Sequence, residues 1–323
     1  MAVLLSTRVA AWPHTIQSAG VSGTGDHPEC KELEHGVAHA VAAGESQAVD
    51  ALLAAASLRG RSTCAGLVLA QLADIALMSG RFDDSGRFAE RSIKALEIEY
   101  RADDPILLRP LHLLALARFE LGEKAKSRQA IRRMQEIQTS GPLDAAMVHY
   151  TAAILLQQEE KFREAEAELL TALGACEKAS STASADYGAM LTTLGEFYAR
   201  QHRYADAGIT FDRAAAIIAA APDATLTDRI TVQTSQAKLY ASQGQWREAE
   251  MKFRQALEMT DRLPHADPLI LRRILTGFAI ALRKTHQSRE ARAIEARASA
   301  LPHSPGANGV VDITEFRQKG AKR

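Results

Sequence analysis

An internal repeat constrains this chain more than any other feature of its 323 residues. Six segments superpose on a column of small residues set within apolar stretches: Ala73, Ala115, Ala153, Gly195, Ala237 and Ala279. Successive members lie 42, 38, 42, 42 and 42 residues apart. Twelve positions further on runs a second small column, Ser85, Ser127, Ala165, Ala207, Ala249 and Ala291. A third reads Ser92, Met134, Ala172, Ala214, Ala256 and Ala298. An aromatic column, Phe82, Phe162, Tyr204 and Trp246, is broken by Lys124 and Ser288. Three columns held in register over six units are not coincidence, and they restrict the fold to a stack of similar supersecondary units.

Each unit reads as two helices. Ile230–Gln243 places Val232, Leu239 and Tyr240 around Ala237, and Gly244 ends it in a left-handed cap. The partner helix, near Trp246–Thr260, repeats Trp246, Ala249, Phe253, Ala256 and Leu257 at spacings of three and four, which makes one apolar face. Small residues let two helix backbones approach closely while aromatic and leucine side chains fill the grooves beside them. Asp267-Pro268 and Asp104-Pro105 read as helix starts, and Asp228 as a cap. Pro110 requires the helix after Asp104 to begin late or to kink.

These residues resemble tetratricopeptide repeats. The most specific stretches are Gly80-Arg81-Phe82, Lys161-Phe162-Arg163-Glu164-Ala165-Glu166 and Gly244-Gln245-Trp246-Arg247-Glu248-Ala249-Glu250. The usual period is about 34 residues; the longer period here is similar to that of kinesin light chain repeats and of many bacterial repeat proteins. The resemblance covers about Ala65 to Leu301 and implies an all-α, right-handed α-solenoid of antiparallel helix pairs. The second repeat departs most, with Lys124 in the aromatic column and Arg118 in its first helix.

The expected organisation is an irregular segment over 1–31, a degenerate capping unit over 32–64, six repeats over 65–301 and a flexible tail over 302–323. Within the capping unit, helices are expected at Glu32–Ala42 and Gln47–Ala56, separated at Gly44. The tail holds an apolar island, Val310 to Phe316, followed by Arg317, Lys319, Lys322 and Arg323.

Composition excludes several classes of function. Hydrophobic residues at 46% and charged residues at 24% describe a globular mixture rather than a disordered chain. Lys+Arg and Asp+Glu both number 39, so the electrostatic footprint of a nucleic-acid or anionic-membrane binder is absent. No stretch approaches the ~18 consecutive apolar residues of a membrane span. Phosphate loops, nucleophile elbows and metalloprotease motifs are missing, so neither catalysis nor a cofactor is expected. His27, Cys30, His35 and His39 form the one cluster with metal-ligand chemistry, but its spacing fits no common zinc pattern and no metal is expected. The basic group from Arg272 to Arg297 is interleaved with Glu290 and Glu295 and reads as a solvated face, with pairs such as Arg292–Glu295.

Three cysteines leave two readings. Cys30, Cys64 and Cys176 are reduced thiols of a cytoplasmic protein, or Cys30 and Cys64 are bridged in an exported one. In Met1–Ala11, Arg8 lies inside the apolar stretch, where a signal peptide carries its charge ahead of it.

In a solenoid of this kind the first helix of each pair lines the inner wall. Register with the first column places Asp74, His112, Leu116, Phe119, Tyr150, Ile154, Gln157, Glu196, Thr234, Lys238 and Arg283 there. The N-terminal half of this wall is apolar and aromatic, the C-terminal half polar. These positions do not match the carboxylate clamp with which some tetratricopeptide proteins grip a partner's C-terminus. Tyr150, Phe119 and Ile154 suit either contact with a partner or packing between neighbouring repeats. The expected function is a non-catalytic scaffold that binds a peptide or partner protein in the groove, with a ligand- or peptide-sensing module of a signalling system as the alternative.

Overall fold

The computed structural model describes residues 30–42, 46–58, 60–78, 80–139, 141–179, 181–263 and 268–301. Among these there is no strand. The expected helix break at Gly44, the expected cap at Asp267 and the tail beyond Leu301 lie outside the described residues, as does the whole segment before Cys30.

The described residues fall into two compact units, 30–181 and 182–301. The first contains α1 (Lys31–Ala42), α2 (Ser46–Leu58), α3 (Ser62–Met78), α4 (Phe82–Leu96), α5 (Leu108–Glu120), α6 (Lys124–Glu136), α7 (Pro142–Gln158) and α8 (Phe162–Lys178). The second contains α9 (Ala185–Arg200), α10 (Tyr204–Ala220), α11 (Leu226–Ser242), α12 (Trp246–Thr260), α13 (Pro268–Lys284) and α14 (Ser288–Ser299). Each unit is an α-solenoid built of antiparallel pairs, every helix packing on its partner and each pair on the next.

The small columns are the seams of these pairs. Every residue of the second column is buried. At Gly195 an added Cβ would lie 2.7 Å from the Phe211 ring, and at Gly66 it would lie 2.6 Å from Leu96. Both distances are shorter than atoms tolerate, so these helices approach at the limit that glycine sets. In the third column the Ser92 hydroxyl donates to the Gly66 carbonyl at 2.7 Å, a polar tie across the same seam.

Six turns between paired helices share one capping geometry. At the second of them the Gly122 N–H donates to the Phe119 carbonyl and the Glu123 N–H to that of Arg118. The residue in the left-handed conformation is Gly80, Gly122 or Gly244 in three turns, and Glu160, His202 or His286 in the other three. Such a cap satisfies the last helical carbonyls whichever residue occupies it, but only glycine occupies it without steric cost.

One expected helix start is corrected, and another is borne out as a late start. α11 begins at Leu226, earlier than its apolar face indicates, and Thr225 rather than Asp228 is its N-cap. Thr225 accepts from the Asp228 N–H at 3.2 Å and the Asp228 carboxylate accepts from the Thr225 N–H at 2.8 Å, a reciprocal capping box. After Asp104 the chain makes a short 3₁₀ turn, Pro105–Leu107, and α5 begins late, at Leu108. Pro110 then lies in the first turn, where its missing N–H costs no hydrogen bond.

The divergent second repeat is held by charge. Arg118 is buried, and its guanidinium donates to Glu90 at 2.6 Å and to Glu123 at 3.0 Å. Gly86 makes room for it: a Cβ there would sit 3.3 Å from the guanidinium carbon. Burial opposes the charge of Arg118, yet the hydrogen bonds and negative charges of Glu90 and Glu123 outweigh it and raise its pKa.

Candidate partner-binding wall

In the first unit the wall is made by α3, α5 and α7, which pack on one another in that order. All seven residues expected on it, Asp74, His112, Leu116, Phe119, Tyr150, Ile154 and Gln157, are buried. As the structure stands they present little surface to a guest, and for Tyr150, Phe119 and Ile154 this favours packing over contact. Asp74 accepts from Arg109 at 3.1 Å, an ion pair linking α3 to α5 with both side chains largely shielded. His112 Nδ1 lies 2.7 Å from Thr151 Oγ1, which in turn lies 2.7 Å from the Met147 carbonyl. The threonine has one proton, and the carbonyl can only accept it. His112 therefore donates from Nδ1. Burial, reinforced by the Arg109 charge, pushes the His112 pKa down to about 3, so this imidazole stays neutral. At the start of α7, burial alone pushes the Asp144 carboxyl up to about 6.

In the second unit the wall is made by α9, α11 and α13, and more of it faces water. Thr234 is buried, its hydroxyl donating to the Ile230 carbonyl at 2.7 Å. Glu196 is half-buried and accepts from Ser235 across the α9–α11 contact at 2.6 Å. Lys238 is half-buried and Arg283 is exposed. Arg283 holds Glu295 through two hydrogen bonds of 2.6 and 2.7 Å. That contact, with Arg292 contributing charge only, lowers the Glu295 pKa, so the main partner of Glu295 is Arg283 rather than the expected Arg292.

Sequence reasoning missed Arg109 and Thr151. Both sit beside wall positions, but their pairing depends on how neighbouring helices are offset, which a register of columns does not specify. A polar cluster on the other face was also missed: Glu250 accepts from Thr285 at 2.8 Å, Gln287 at 2.7 Å and Arg254 at 3.2 Å. Its polar groups are matched to one another, which suits a turn clamp better than a catalytic centre. Cys30, one of the weighed metal ligands, is in a disulfide with Cys64, their Cα atoms 5.0 Å apart. Among the described residues no three His, Cys, Asp or Glu side chains converge as a metal site requires. Nor is any described helix long and apolar enough to cross a membrane.

The family model for the tetratricopeptide repeat matches residues 186–262, which spans α9 through α12. Those residues are tetratricopeptide repeats. The same columns continue through the pairs α3–α4, α5–α6, α7–α8 and α13–α14, which share the antiparallel packing. Among solved structures, the chain is similar to BtubC (BKLC) from P. vanneervenii, with 17% identity and a TM-score of 0.52, over 70% of this chain and 93% of that one. It is also similar to the apo form of RapI, with 15% identity and a TM-score of 0.55, over 84% of this chain and 97% of that one. At such identities these likenesses speak for the tetratricopeptide-like fold alone. No curated protein matches the chain in sequence.

Proposed function

We propose that the chain is a non-catalytic interaction module that receives a peptide or partner protein on the wall of its first helices, with the second unit as the main contact face. The observation that carries this reading is the half-exposed charge on that wall: Glu196, Lys238 and Arg283 lie on successive first helices and retain solvent contact. Spaced charges of both signs on a rigid helical surface give register and orientation to an extended guest. The balanced net charge argues against nucleic acid as that guest. The Cys30–Cys64 bridge supports the exported alternative over the cytoplasmic one, because such bridges persist where thiols are kept oxidised.

The test is an affinity capture with mass spectrometry, followed by titration of the captured partner against variants. Lys238→Ala combined with Arg283→Ala is expected to weaken binding about tenfold or more, the range for charged interface contacts. Tyr150→Phe, on the closed wall of the first unit, is expected to leave binding unchanged. If the double variant binds like wild type, the second-unit wall is not the contact face.

A further inference from the structure

The pair α1–α2 sits at the N-terminal end of the first unit, in an apolar cluster that also includes Ala95 and Phe88 of α4. It rests on a stripe of α3 formed by Ala65, Val68, Leu69 and Leu72, the spacing of a single helical face. Against this stripe α1 places Leu33 and Val37, and α2 places Leu53 and Ala56. Further links include the ion pairs Arg91–Asp50 and Arg61–Glu32, made between exposed side chains, and a hydrogen bond from Gln71 to Glu34 at 3.2 Å. Exposed pairs of this kind hold little. Two helices of 12 and 13 residues, the first containing Gly36, do not persist on their own intrinsic propensity. To these contacts the disulfide from Cys30 at the foot of α1 to Cys64 in the first turn of α3 adds a covalent link.

We infer that α1–α2 is a redox-conditional cap: the Cys30–Cys64 bridge holds it on α3, and reduction by a small thiol releases it and uncovers the apolar stripe at 65, 68, 69 and 72. The step is a thiol–disulfide exchange. A thiolate of the reductant attacks one sulfur, the S–S bond breaks to leave a mixed disulfide, and a second reductant thiol displaces it. Two protein thiols and one reductant disulfide result, with two electrons and two protons taken up by the protein. Both cysteines are buried, so the attack follows a local opening of α1 rather than preceding it. The uncovered stripe has the width of one helix and is apolar along its length, as the occupant it loses already shows.

Hydrogen exchange read by mass spectrometry tests this on the full chain, first oxidised with a glutathione–glutathione disulfide couple and then reduced with dithiothreitol. Before reduction, one thiol is expected to titrate in denaturant, that of Cys176; after it, three. Reduction is expected to lower the protection of α1 and α2 amides by up to several hundredfold, as release of a loop of this length implies, while α9–α12 stay as they were. Cys64→Ser is expected to reproduce that pattern without reductant; should it not fold, the reduction of the wild-type chain decides alone. Three thiols before reduction would overturn the inference. So would unchanged protection of α1–α2 after it, or a loss that spreads equally to α9–α12.

Discussion

The two units reach the same helix-pair architecture by different means. In 182–301 the repeat columns are nearly intact: Gly195 meets Phe211, Gly277 meets Phe253, and the seams close largely by shape. In 30–181 the columns falter, and specific polar and covalent links stand in for them: Arg118 with Glu90 and Glu123, Asp74 with Arg109, His112 with Thr151, and Cys30 with Cys64. A repeat can thus lose its consensus residue and keep its fold, provided a neighbour supplies a directional interaction in its place. The family model matches only within the second unit, because shape-complementary seams repeat from pair to pair and improvised links do not. The same division separates the walls. That of the first unit is closed and internally matched, whereas that of the second keeps charged groups at the surface.

The strongest way to break this comparison is to attack a shape seam. Phe211→Ala, at a fully buried ring, is expected to cost about 3–5 kcal/mol. Gly195→Ala, which drives a methyl against that same ring, is expected to cost about 1–3 kcal/mol. Gly174→Ala, with open space around it, is expected to stabilise slightly. Urea melts monitored by hydrogen exchange would place the first two losses in α9–α12.

The polar links of the first unit predict a pH dependence there. His112 is held neutral, so as pH falls below about 6.5 the unfolded chain gains a proton the folded one refuses, and stability drops on acidification. Asp144 acts in the opposite sense. Its carboxyl is raised to about 6, so the folded state retains a proton that the unfolded chain releases above about 4, and stability falls as pH rises from 4 to 6. The two slopes oppose each other in that window. Asp144→Asn is expected to unmask the His112 slope, so that stability rises steadily from pH 4 to 6.5, and to stabilise the protein at pH 7 by about 1–3 kcal/mol. Melts at half-unit pH intervals check both signs, and a flat profile in the variant would remove the buried-imidazole account.

Removing the charge that substitutes for a consensus contact should matter less than removing a ring. Arg118→Ala is expected to cost about 1–3 kcal/mol, since Glu90 and Glu123 retain access to water once the guanidinium is gone. The loss is expected in α4–α6. A loss below about 0.5 kcal/mol would show that the second repeat closes without its ion network.

The smallest effects lie at the turns, where the units are alike. His202→Gly and His286→Gly are expected to stabilise by up to about 1 kcal/mol by relieving a left-handed side-chain residue, and Gly244→Ala to destabilise by about as much. His202→Gly should gain the less of the two histidine variants, because its ring is held by the Tyr204 hydroxyl at 2.8 Å.

Much of this was legible in the residues. The columns at Ala73, Ser85 and their successors mark the seams because helix pairing demands small residues at a fixed helical period, and that period survives in one dimension. The turns were legible wherever glycine marks them, and obscured at Glu160, His202 and His286, where the same backbone is made by a residue that does not announce it. The start of α11 was misread because Asp228 has the chemistry of an N-cap and sits three residues inside one. The candidate wall was less legible still. Register placed Tyr150 and Lys238 on equivalent faces, and burial then separated them.

By itself, then, the sequence determined the all-α class, the pairing of helices and the position of each seam, since these follow from local periodicity and residue size. Only the tertiary structure decided which wall residues stay in water, which carboxylate Arg283 holds, and that Cys30 and Cys64 come within bonding reach. Those outcomes depend on the offset and tilt of one helix against the next. That offset is set by the summed packing of many side chains, and no single residue or spacing encodes it.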